Sequence, residues 1–511
     1  MRKPFYIVLL SILFFLEGSY AQSKLKIQEN GKVKQIEIRH AGVFRYDKGI
    51  SAKRLIGNVI CAHEGAVMNC DSAYLYDSNK LEAFGHISII KGDSIFVYGD
   101  KLYYDGASKL ATLEGNVRCI EKDMTLTTPI LTFDVKNSIA NYYNGGTLVN
   151  KDNTLVSKNG HYYSSSKTVA FKYDVELTNP EYKMKGDTLL YNTSNKTSYF
   201  LGPSIIISKD DYIYCENGWY DTENEKSQFS KNALLVTKEQ KLTGDSLTYD
   251  RKLGIGRAFK NIKLIDTTNK SVLYGDYAEY HEKASKALVT KRAMYVRMFD
   301  KDSLYLTADT LFHQDIDSVN NLIKAYHKVK FYKNDLQGVC DSLAYSTVDS
   351  LMHMFYMPIV WAQKGQATAK FIDVCVGKNG IHSFSLTTNG FVVQQADSLV
   401  NNAYNQITGK NIVGYFKDDS IRKITVKGNA QILYYPKNKT KLVGLNKSLC
   451  SDIIVWFKDG DFDKVSFIKK PESVTTPMKD VNIDEARLKG FNWFESRRPL
   501  SKFSLVPDFK N

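Results

Sequence analysis

Hydrophobic and polar residues alternate along short stretches of the chain with a period of two. Residues 244–250, GDSLTYD, place Leu247 and Tyr249 on one side of an extended chain and polar residues on the other. A polar turn and a second alternating stretch, 256–264, follow. Helical spacing of hydrophobic residues is not found before the C-terminal end. The pattern predicts an all-β protein built from short strands.

The stretch 244–250 is one copy of a repeat. Related sequences stand at 92–95 (GDSI), 186–191 (GDTLLY), 308–312 (ADTLF) and 340–345 (CDSLAY). An aromatic residue marks each repeat, and the gaps between consecutive aromatics are 28 to 33 residues. The aromatics are Tyr76, Tyr104, Phe133, Tyr163, Tyr191, Tyr220, Tyr249, Tyr280, Phe312 and Tyr345. Such a period predicts an elongated repeat fold with two to three short strands per repeat, whose apolar faces meet in one continuous interior.

The regularity of the repeats divides the chain. Residues 22–345 form the regular β-repeat region, and 346–470 form a degenerate continuation, which is either part of the same array or a second domain. Pro358 lies inside a strand-like run in this continuation, and it predicts an edge strand or a bulge there.

The C-terminal tail, residues 471–511, has a different composition. The sequence NIDE at 482–485 resembles a capping box and Gly490 is a stop signal, so a short helix is predicted over 483–489. The tail either caps the open end of the repeat array, where strand edges would be unpaired, or docks a partner.

Residues 1–21 have the features of a secretory signal peptide. Arg2 and Lys3 precede an apolar core, and Ala21 ends a small-x-small cleavage site. We expect an exported protein, cleaved after Ala21. The formal net charge of the chain is +14. For an exported protein this favours anionic lipid headgroups or phosphorylated glycolipids as partners, and it makes nucleic acid a poor candidate.

The cysteines and histidines predict neither a disulfide framework nor a metal site. The seven cysteines are odd in number and contain no CxxC motif, so we expect small buried hydrophobic residues. The nine histidines do not pair with each other or with cysteine at metal-ligand spacing. No cofactor and no metal are predicted.

The spelling GDSL at 244–247 suggests the nucleophile block of a serine hydrolase, with Ser246 as nucleophile. A catalytic serine needs one special setting beside a base, whereas this motif is copied through the whole array. We therefore predict a structural role for the aspartates of the cassette, as acceptors for backbone N–H groups at the turn into a strand. These are Asp93, Asp187, Asp245, Asp309 and Asp341. A carboxylate cluster of a polysaccharide-active β-helix enzyme stays open as an alternative.

The segments DSAYLYD at 71–77, LEAFGHI at 81–87, GDKLYYD at 99–105 and ATLEGNV at 111–117 resemble the OstA-like family, which includes the LptA-type periplasmic proteins of lipopolysaccharide transport. The resemblance covers residues 55–300 well and 300–470 loosely. It implies a β-jellyroll or β-taco that holds acyl chains in an apolar groove without acting as an enzyme. It also implies a periplasmic location, with association to either membrane left open.

The resemblance further implies a set of partners and a set of groove residues. The partners are lipopolysaccharide through its lipid A, transport components of the inner and outer membranes, and a second copy of the chain in head-to-tail stacking. The residues expected to line the groove are Leu102, Tyr104, Val117, Leu189, Tyr191, Ile205, Leu247, Tyr249 and Ile262. The alternative for the same residues is a closed, dry core of a structural β-solenoid, an envelope scaffold or an adhesin.

Overall fold

The computed structural model describes residues 35–92, 95–122, 124–150, 153–209, 211–299, 302–317, 320–362, 364–377, 380–397, 399–417, 420–438, 441–458 and 461–505. These residues are nearly all β, as predicted, and the helical segments among them are turns of three residues. The predicted signal peptide lies outside the described residues. Contacts divide the described chain into an N-terminal unit, residues 35–238 and 243–253, and a C-terminal unit, residues 239–242 and 254–505. The predicted boundaries at 345 and 470 stay predictions.

The strands of the N-terminal unit follow one another as an antiparallel meander. They are β1 (Glu37–His40), β2 (Val43–Asp47), β3 (Ala52–His63), β4 (Ala66–Tyr76), β5 (Lys80–Lys91), β6 (Ile95–Asp105), β7 (Leu110–Glu121), β8 (Met124–Asp134), β9 (Ile139–Tyr142), β10 (Gly146–Asn150), β11 (Asn153–Ser157), β12 (Asn159–Tyr163), β13 (Thr168–Thr178), β14 (Tyr182–Asn192), β15 (Thr197–Ser208), β16 (Tyr212–Asp221), β17 (Lys226–Val236) and β18 (Gln240–Asp250), which contains the division.

The C-terminal unit continues in the same manner. Its strands are β19 (Ile255–Asp266), β20 (Ser271–His281), β21 (Lys286–Met298), β22 (Ser303–Asp315), β23 (Asn321–Lys333), β24 (Leu336–Ser346), β25 (Leu351–Phe355), β26 (Ile359–Ala362), β27 (Gly365–Thr368), β28 (Phe371–Gly377), β29 (Gly380–Gln395), β30 (Tyr404–Lys417), β31 (Ser420–Tyr434), β32 (Lys437–Asn438), β33 (Lys441–Leu442), β34 (Gly444–Lys458), β35 (Asp461–Ile468) and β36 (Glu472–Pro477).

Most repeats consist of two long strands, each bent near its middle. In β3, β5 and β7 the bend falls at a pair of residues with positive φ, such as Gly57 with Asn58 and Gly115 with Asn116. The register with the neighbouring strand shifts at the same place, which is a β-bulge. Glycine and asparagine suit these positions because they tolerate the left-handed region. The count of two to three short strands per repeat therefore becomes two bent strands, or four arms.

The bends fold each meander into two walls that face each other across an apolar interior. Wall A contains the arms that meet at hairpins such as residues 77–79, and wall B contains the arms that meet at hairpins such as 64–65. Leu55 on wall A and Val59 on wall B belong to one buried cluster, although the bend separates them. In the C-terminal unit one cluster runs from Val289 to Phe457. The degenerate region thus keeps the same core.

The prediction that the aspartates of the cassette lie at turns into strands is wrong for Asp187, Asp309 and Asp341, which lie at the bends within strands. Equivalent aspartates of other repeats show what they bind there. Asp71 lies 2.7 Å from the ring Nδ1 of His86, and Asp100 accepts a hydrogen bond of 2.8 Å from the Asn116 side chain. In the C-terminal unit Asp276 receives two hydrogen bonds of 2.6 Å from Arg292. Each acidic side chain thus holds the bend residue of the next strand. Asp93 lies outside the described residues.

The irregular stretch around Pro358 is another bend. β25 belongs to wall A and β26 to wall B, and Tyr356 and Met357 between them have positive φ. Both strands pair with β24, so the meander is not interrupted. The bulge predicted from Pro358 is confirmed.

The predicted helix over 483–489 is wrong. Residues 483–485 form a turn and residues 486–488 have no regular secondary structure. The helical turns of the tail, Met478–Asp480, Glu495–Arg497 and Lys502–Ser504, lie outside this range. The carbonyl of Ala486 and the N–H of Leu488 are bound instead by the side chain of Gln406, at 2.9 and 2.8 Å. A helix would need these backbone groups for its own ladder.

The tail lies on the outer face of wall B in the C-terminal unit. Three buried glutamines on that face, Gln406, Gln366 and Gln337, bind it in turn. Gln366 pairs with the backbone of Asn492 and Phe494, at 2.9 and 2.7 Å. The tail therefore crosses strands from β30 to β24. It covers a sheet face, whereas capping of an open end was one of the two predicted roles.

Candidate functional site

The interior of the N-terminal unit is lined by two continuous rows of side chains. On wall A, directly paired residues alternate between aromatic and small side chains. The wall A row is Tyr104, Ala111, Phe133, Ala140, Tyr162, Val169, Tyr191, Ser198, Tyr220 and Ser227. Because each aromatic ring lies beside a small neighbour, the rings have room to pack inward.

The facing row on wall B is aliphatic or sulfur-containing throughout. It consists of Cys61, Met68, Ile89, Val97, Cys119, Leu126, Leu148, Leu155, Leu177, Met184, Ile206, Ile213 and Leu235. Each residue of this row pairs directly with the next one across neighbouring strands, so the apolar lining is continuous from β3 to β17. Most of this row was not predicted from the sequence as groove residues, although the hydrophobic alternation in the second strand of each repeat indicates it.

The structure places most of the predicted groove residues inside this interior. Leu102, Tyr104 and Val117 are buried in one cluster, and Leu189 and Tyr191 are buried on β14. Leu247 on β18 and Ile262 on β19 are buried as well, and Tyr249 is half-buried. Whether these side chains contact a lipid stays a prediction.

One predicted groove residue points away from the interior. Ile206 pairs with Met184 and Ile213 on the inner face, whereas Ile205 pairs with Lys185 and Tyr214 on the outer face. A run of three isoleucines, 205–207, offers two registers of equal hydrophobicity, so the alternation could not decide between them.

Three of the aromatic repeat markers are also displaced by one position. On β4 the row continues from Tyr104 through Leu81 to Leu75, so Tyr76 lies on the other face. The wall A row contains Tyr162, while Tyr163 lies on the other face. In the C-terminal unit the inward residue of β22 is His313, which pairs with Ala287 and Ile323, rather than Phe312. With Tyr162 in place of Tyr163, the spacing from Phe133 to Tyr191 becomes two equal steps of 29 residues.

Burial sets the chemistry of the interior. It raises the pKa of Tyr191 to about 12 and that of the Cys61 thiol to about 11. Both groups are therefore neutral at physiological pH and behave as parts of an apolar lining. The free cysteines, Cys61, Cys70, Cys119, Cys215, Cys340, Cys375 and Cys450, are buried or half-buried, as the sequence predicted.

The two walls approach each other along a mouth, between the wall A hairpins and the wall B hairpins. A hydrogen bond of 2.9 Å joins the Nε2 of His63 on wall B to the Tyr104 hydroxyl on wall A. Beside it, the Lys109 ammonium lies 3.4 Å from the carboxylate of Glu64. Two strands further on, the Lys91 ammonium lies 5.7 Å from the centre of the Phe133 ring. The mouth of the N-terminal unit is thus bridged by polar contacts.

Ser246 does not stand in a catalytic arrangement. Its hydroxyl accepts a hydrogen bond of 3.1 Å from the amide of Gln228, which itself accepts one from the Trp219 indole. The inward neighbours Gly244 and Leu247 are buried, while Ser246 is half-buried on strand β18. Among the described residues, His, Cys, Asp and Glu do not gather in groups of three that could hold a metal ion.

Within the described part of the chain there is no helix with the length and hydrophobicity that a membrane-spanning helix requires. Bent hairpin repeats around an apolar interior define a repeat β-protein, and the two facing walls are its candidate site.

The chain belongs to the OstA-like protein family, whose sequence profile matches residues 33–187 and 190–296. This confirms the resemblance seen in the repeats. Among solved structures, the chain is similar to LptH, described as the LptA homologous periplasmic component of the conserved lipopolysaccharide transport device from Pseudomonas aeruginosa. The identity is 16%, the match covers 20% of this chain and 79% of that one, and the TM-score is 0.19. No curated protein matches the chain.

Proposed function

We propose that this protein binds lipopolysaccharide in the periplasm and forms part of the bridge that carries it to the outer membrane. The acyl chains lie between walls A and B, and no covalent step is involved. The observation that carries the proposal is the unbroken apolar lining of the N-terminal unit, in a member of the OstA-like protein family. An elongated apolar interior suits a ligand with several long acyl chains, because it is their hydrocarbon surface that is removed from water.

Charge supports an anionic amphiphile as the ligand. The chain has a formal net charge of +14, and Lys91 and Lys109 stand at the mouth where a headgroup would emerge. Lipid A carries phosphates beside its acyl chains, so cations at the mouth and apolar side chains inside match its two parts.

The ends of the meander are suited to protein partners. Edge strand β2 exposes Phe44, at 54%, together with Val43 and Tyr46. At the other end of the chain, β35 and β36 each pair with β34 in the described part of the sheet. We propose that transport components of the inner and outer membranes, or a second copy of this chain, add strands there.

A structural scaffold with a closed core is the second candidate. Leu55, Val59 and Ala83 are completely buried, so the walls pack against each other in this structure. A lipid-binding protein must separate its walls to admit acyl chains, whereas a scaffold keeps them closed. For the scaffold, Tyr249→Ser would lower the melting temperature and leave lipid binding unchanged.

Photocrosslinking in cells tests the proposal. A photoreactive amino acid replaces inward Leu189, inward Tyr104 or Tyr249, and matched variants carry it at the outward neighbours Leu190 and Tyr103. We expect capture of lipid A from Leu189 and Tyr104 and none from Leu190 or Tyr103. Equal capture from both faces, or none from the inward positions, contradicts lipid binding in the interior.

A further inference from the structure

Three pairs of side chains bridge the mouth of the N-terminal unit, and we propose that they form a clasp over a lateral entrance for acyl chains. The pairs are His63 with Tyr104, Glu64 with Lys109, and Lys91 with Phe133. The ligand passes sideways between the walls when the pairs separate, and they close behind it. This inference rests on the proposed function and identifies the part of the site that controls access.

The strand register shows that the clasp is polar only at its outermost level. His63, Lys91 and Glu121 lie on the inner face of wall B, one inward position beyond Cys61, Ile89 and Cys119 of the aliphatic row. Each long strand that ends at a wall B hairpin in this region, β3, β5 and β7, thus places a polar residue at the outermost level. Its partner across the hairpin, Ala66, Ile95 or Met124, is apolar.

Two of these polar residues, His63 and Lys91, face an aromatic ring of wall A. The His63 and Tyr104 rings lie 5.2 Å apart, and Lys91 lies over Phe133. Burial, and next the Glu121 carboxylate, raise the pKa of Tyr162, the next aromatic residue of the row. At the mouth the two walls are therefore joined by contacts between polar groups and aromatic rings. These contacts can be replaced by water when the walls separate.

Two features lower the free-energy cost of opening the mouth. Exposed or half-exposed ion pairs contribute little to stability, and Glu64 and Lys109 both keep contact with solvent. In addition, the Nδ1 of His63 is buried and has no hydrogen-bond partner among the described residues. Opening would hydrate this atom, which is unfavourable to bury unpaired.

A ligand holds the open state only if it binds that state better than the closed one. Acyl chains contribute by filling the space between the separated walls. Phosphates contribute because Lys109 and Lys91 lose Glu64 and Phe133 when the clasp opens, and an anionic headgroup at the mouth replaces both partners. An uncharged amphiphile would lack the second contribution.

Charge reversal at Glu64 and Lys109 tests the clasp. The measurement is the rate at which the full chain takes up a dephosphorylated lipid A analogue with a fluorescent acyl chain from phosphatidylcholine vesicles, so that the Lys109 ammonium has no phosphate to attract. We expect Glu64→Lys and Lys109→Glu each to speed uptake about two- to fivefold, and the double exchange to return it to the wild-type rate, since a pair of this kind shifts an equilibrium by about that factor. Exchange of the exposed pair Lys158 and Asp174, outside the mouth, is the control.

The two single variants also separate the clasp from simple attraction of the headgroup. If cations at the mouth only attract phosphate, neither variant changes uptake of the dephosphorylated analogue, and that result overturns the clasp. Tyr104→Phe, which removes the hydroxyl bonded to His63 and keeps the ring, should also speed uptake, while Tyr103→Phe on the outer face should not.

A reversible crosslink provides the opposite perturbation. Glu64→Cys with Lys109→Cys, joined by a thiol-cleavable bis-methanethiosulfonate, should slow uptake at least tenfold until the link is reduced; each single cysteine variant with the same reagent is the control. Unchanged uptake in the linked protein, with lipid still captured at Leu189, overturns the clasp and leaves the proposed function standing. Absence of capture at Leu189 in the wild-type chain overturns both.

Discussion

The guanidinium of Arg498 donates two hydrogen bonds, of 2.9 and 2.7 Å, to the side-chain oxygen of Gln337, which lies 161 residues earlier in the chain. Gln337 is buried on the outer face of wall B. A charged donor pair on a buried amide oxygen fixes the end of the tail, because the amide would otherwise lose its partner in a place that water does not reach.

Release of the tail should be measurable as a loss of stability of the C-terminal unit. Gln406→Ala leaves the Ala486 carbonyl and the Leu488 N–H without their partner, and each such buried group costs about 1 to 3 kcal/mol. We expect the melting temperature to fall by about 4 °C or more and proteolysis within residues 478–505 to accelerate. Gln431→Ala, a half-buried position on the same wall, is the matched control. An unchanged proteolysis rate in Gln406→Ala would show that the tail is held by other contacts.

The sequence predicts the repeat and the facing of most strands because a period of two and a period near 29 are both local properties. Tyr104, Leu189 and Tyr191 fall inside as their alternation requires. Adjacent residues of equal hydrophobicity defeat the same reasoning. Within each of the pairs Ile205/Ile206 and Tyr162/Tyr163, the two residues are alike in hydrophobicity. Which of them faces inward depends on the strand register, which the local sequence does not specify.

The long-range contacts were beyond sequence reasoning for a different reason. The helix predicted over 483–489 rests on local signals, but Gln406 takes the backbone groups that the helix would use. Likewise, His63 and Tyr104 are 41 residues apart and meet only because the two walls fold toward each other. Polar residues that end alternating strands are the one sequence signal for the mouth.

Ser246→Ala should leave function intact. Its hydroxyl receives a hydrogen bond from Gln228 on the outer face, so the substitution removes one bond of about 1 kcal/mol. We expect unchanged lipid capture at Leu189, and no labelling of Ser246 by a fluorophosphonate probe for activated serines. Labelling that disappears in Ser246→Ala would support the hydrolase alternative.

Gly160 leaves room for the Tyr142 ring inside the N-terminal unit. A Cβ at position 160 would lie 2.1 Å from ring carbon Cε1 of Tyr142, which is buried and bonded to Ser157 at 2.7 Å. Gly160→Ala should therefore destabilise the protein by about 1 to 3 kcal/mol through overpacking, measured by urea unfolding. Gly365→Ala, where the nearest atoms would be 3.5 Å away, is the control. The double variant Gly160→Ala with Tyr142→Leu should lose less stability than the two single variants lose together, because the smaller side chain at position 142 removes the clash.

Glu279 makes the stability of the C-terminal unit depend on pH in the acidic range. Hydrogen bonds from the Tyr277 hydroxyl and from His281, together with the Arg257 guanidinium, lower the pKa of this carboxyl to about 2. A carboxyl whose pKa is lower in the folded state stabilises the fold above its unfolded pKa, and this contribution is lost as pH falls from about 4.5 toward 2. Glu279→Gln should therefore lower the melting temperature at pH 7, by an amount corresponding to about 1 to 3 kcal/mol, and the difference from wild type should shrink between pH 5 and pH 3. Glu472→Gln, at an exposed position on β36, should show no such difference at any pH. A gap between wild type and Glu279→Gln that stays constant down to pH 3 would mean that the ionised carboxylate is not what stabilises this face of wall A.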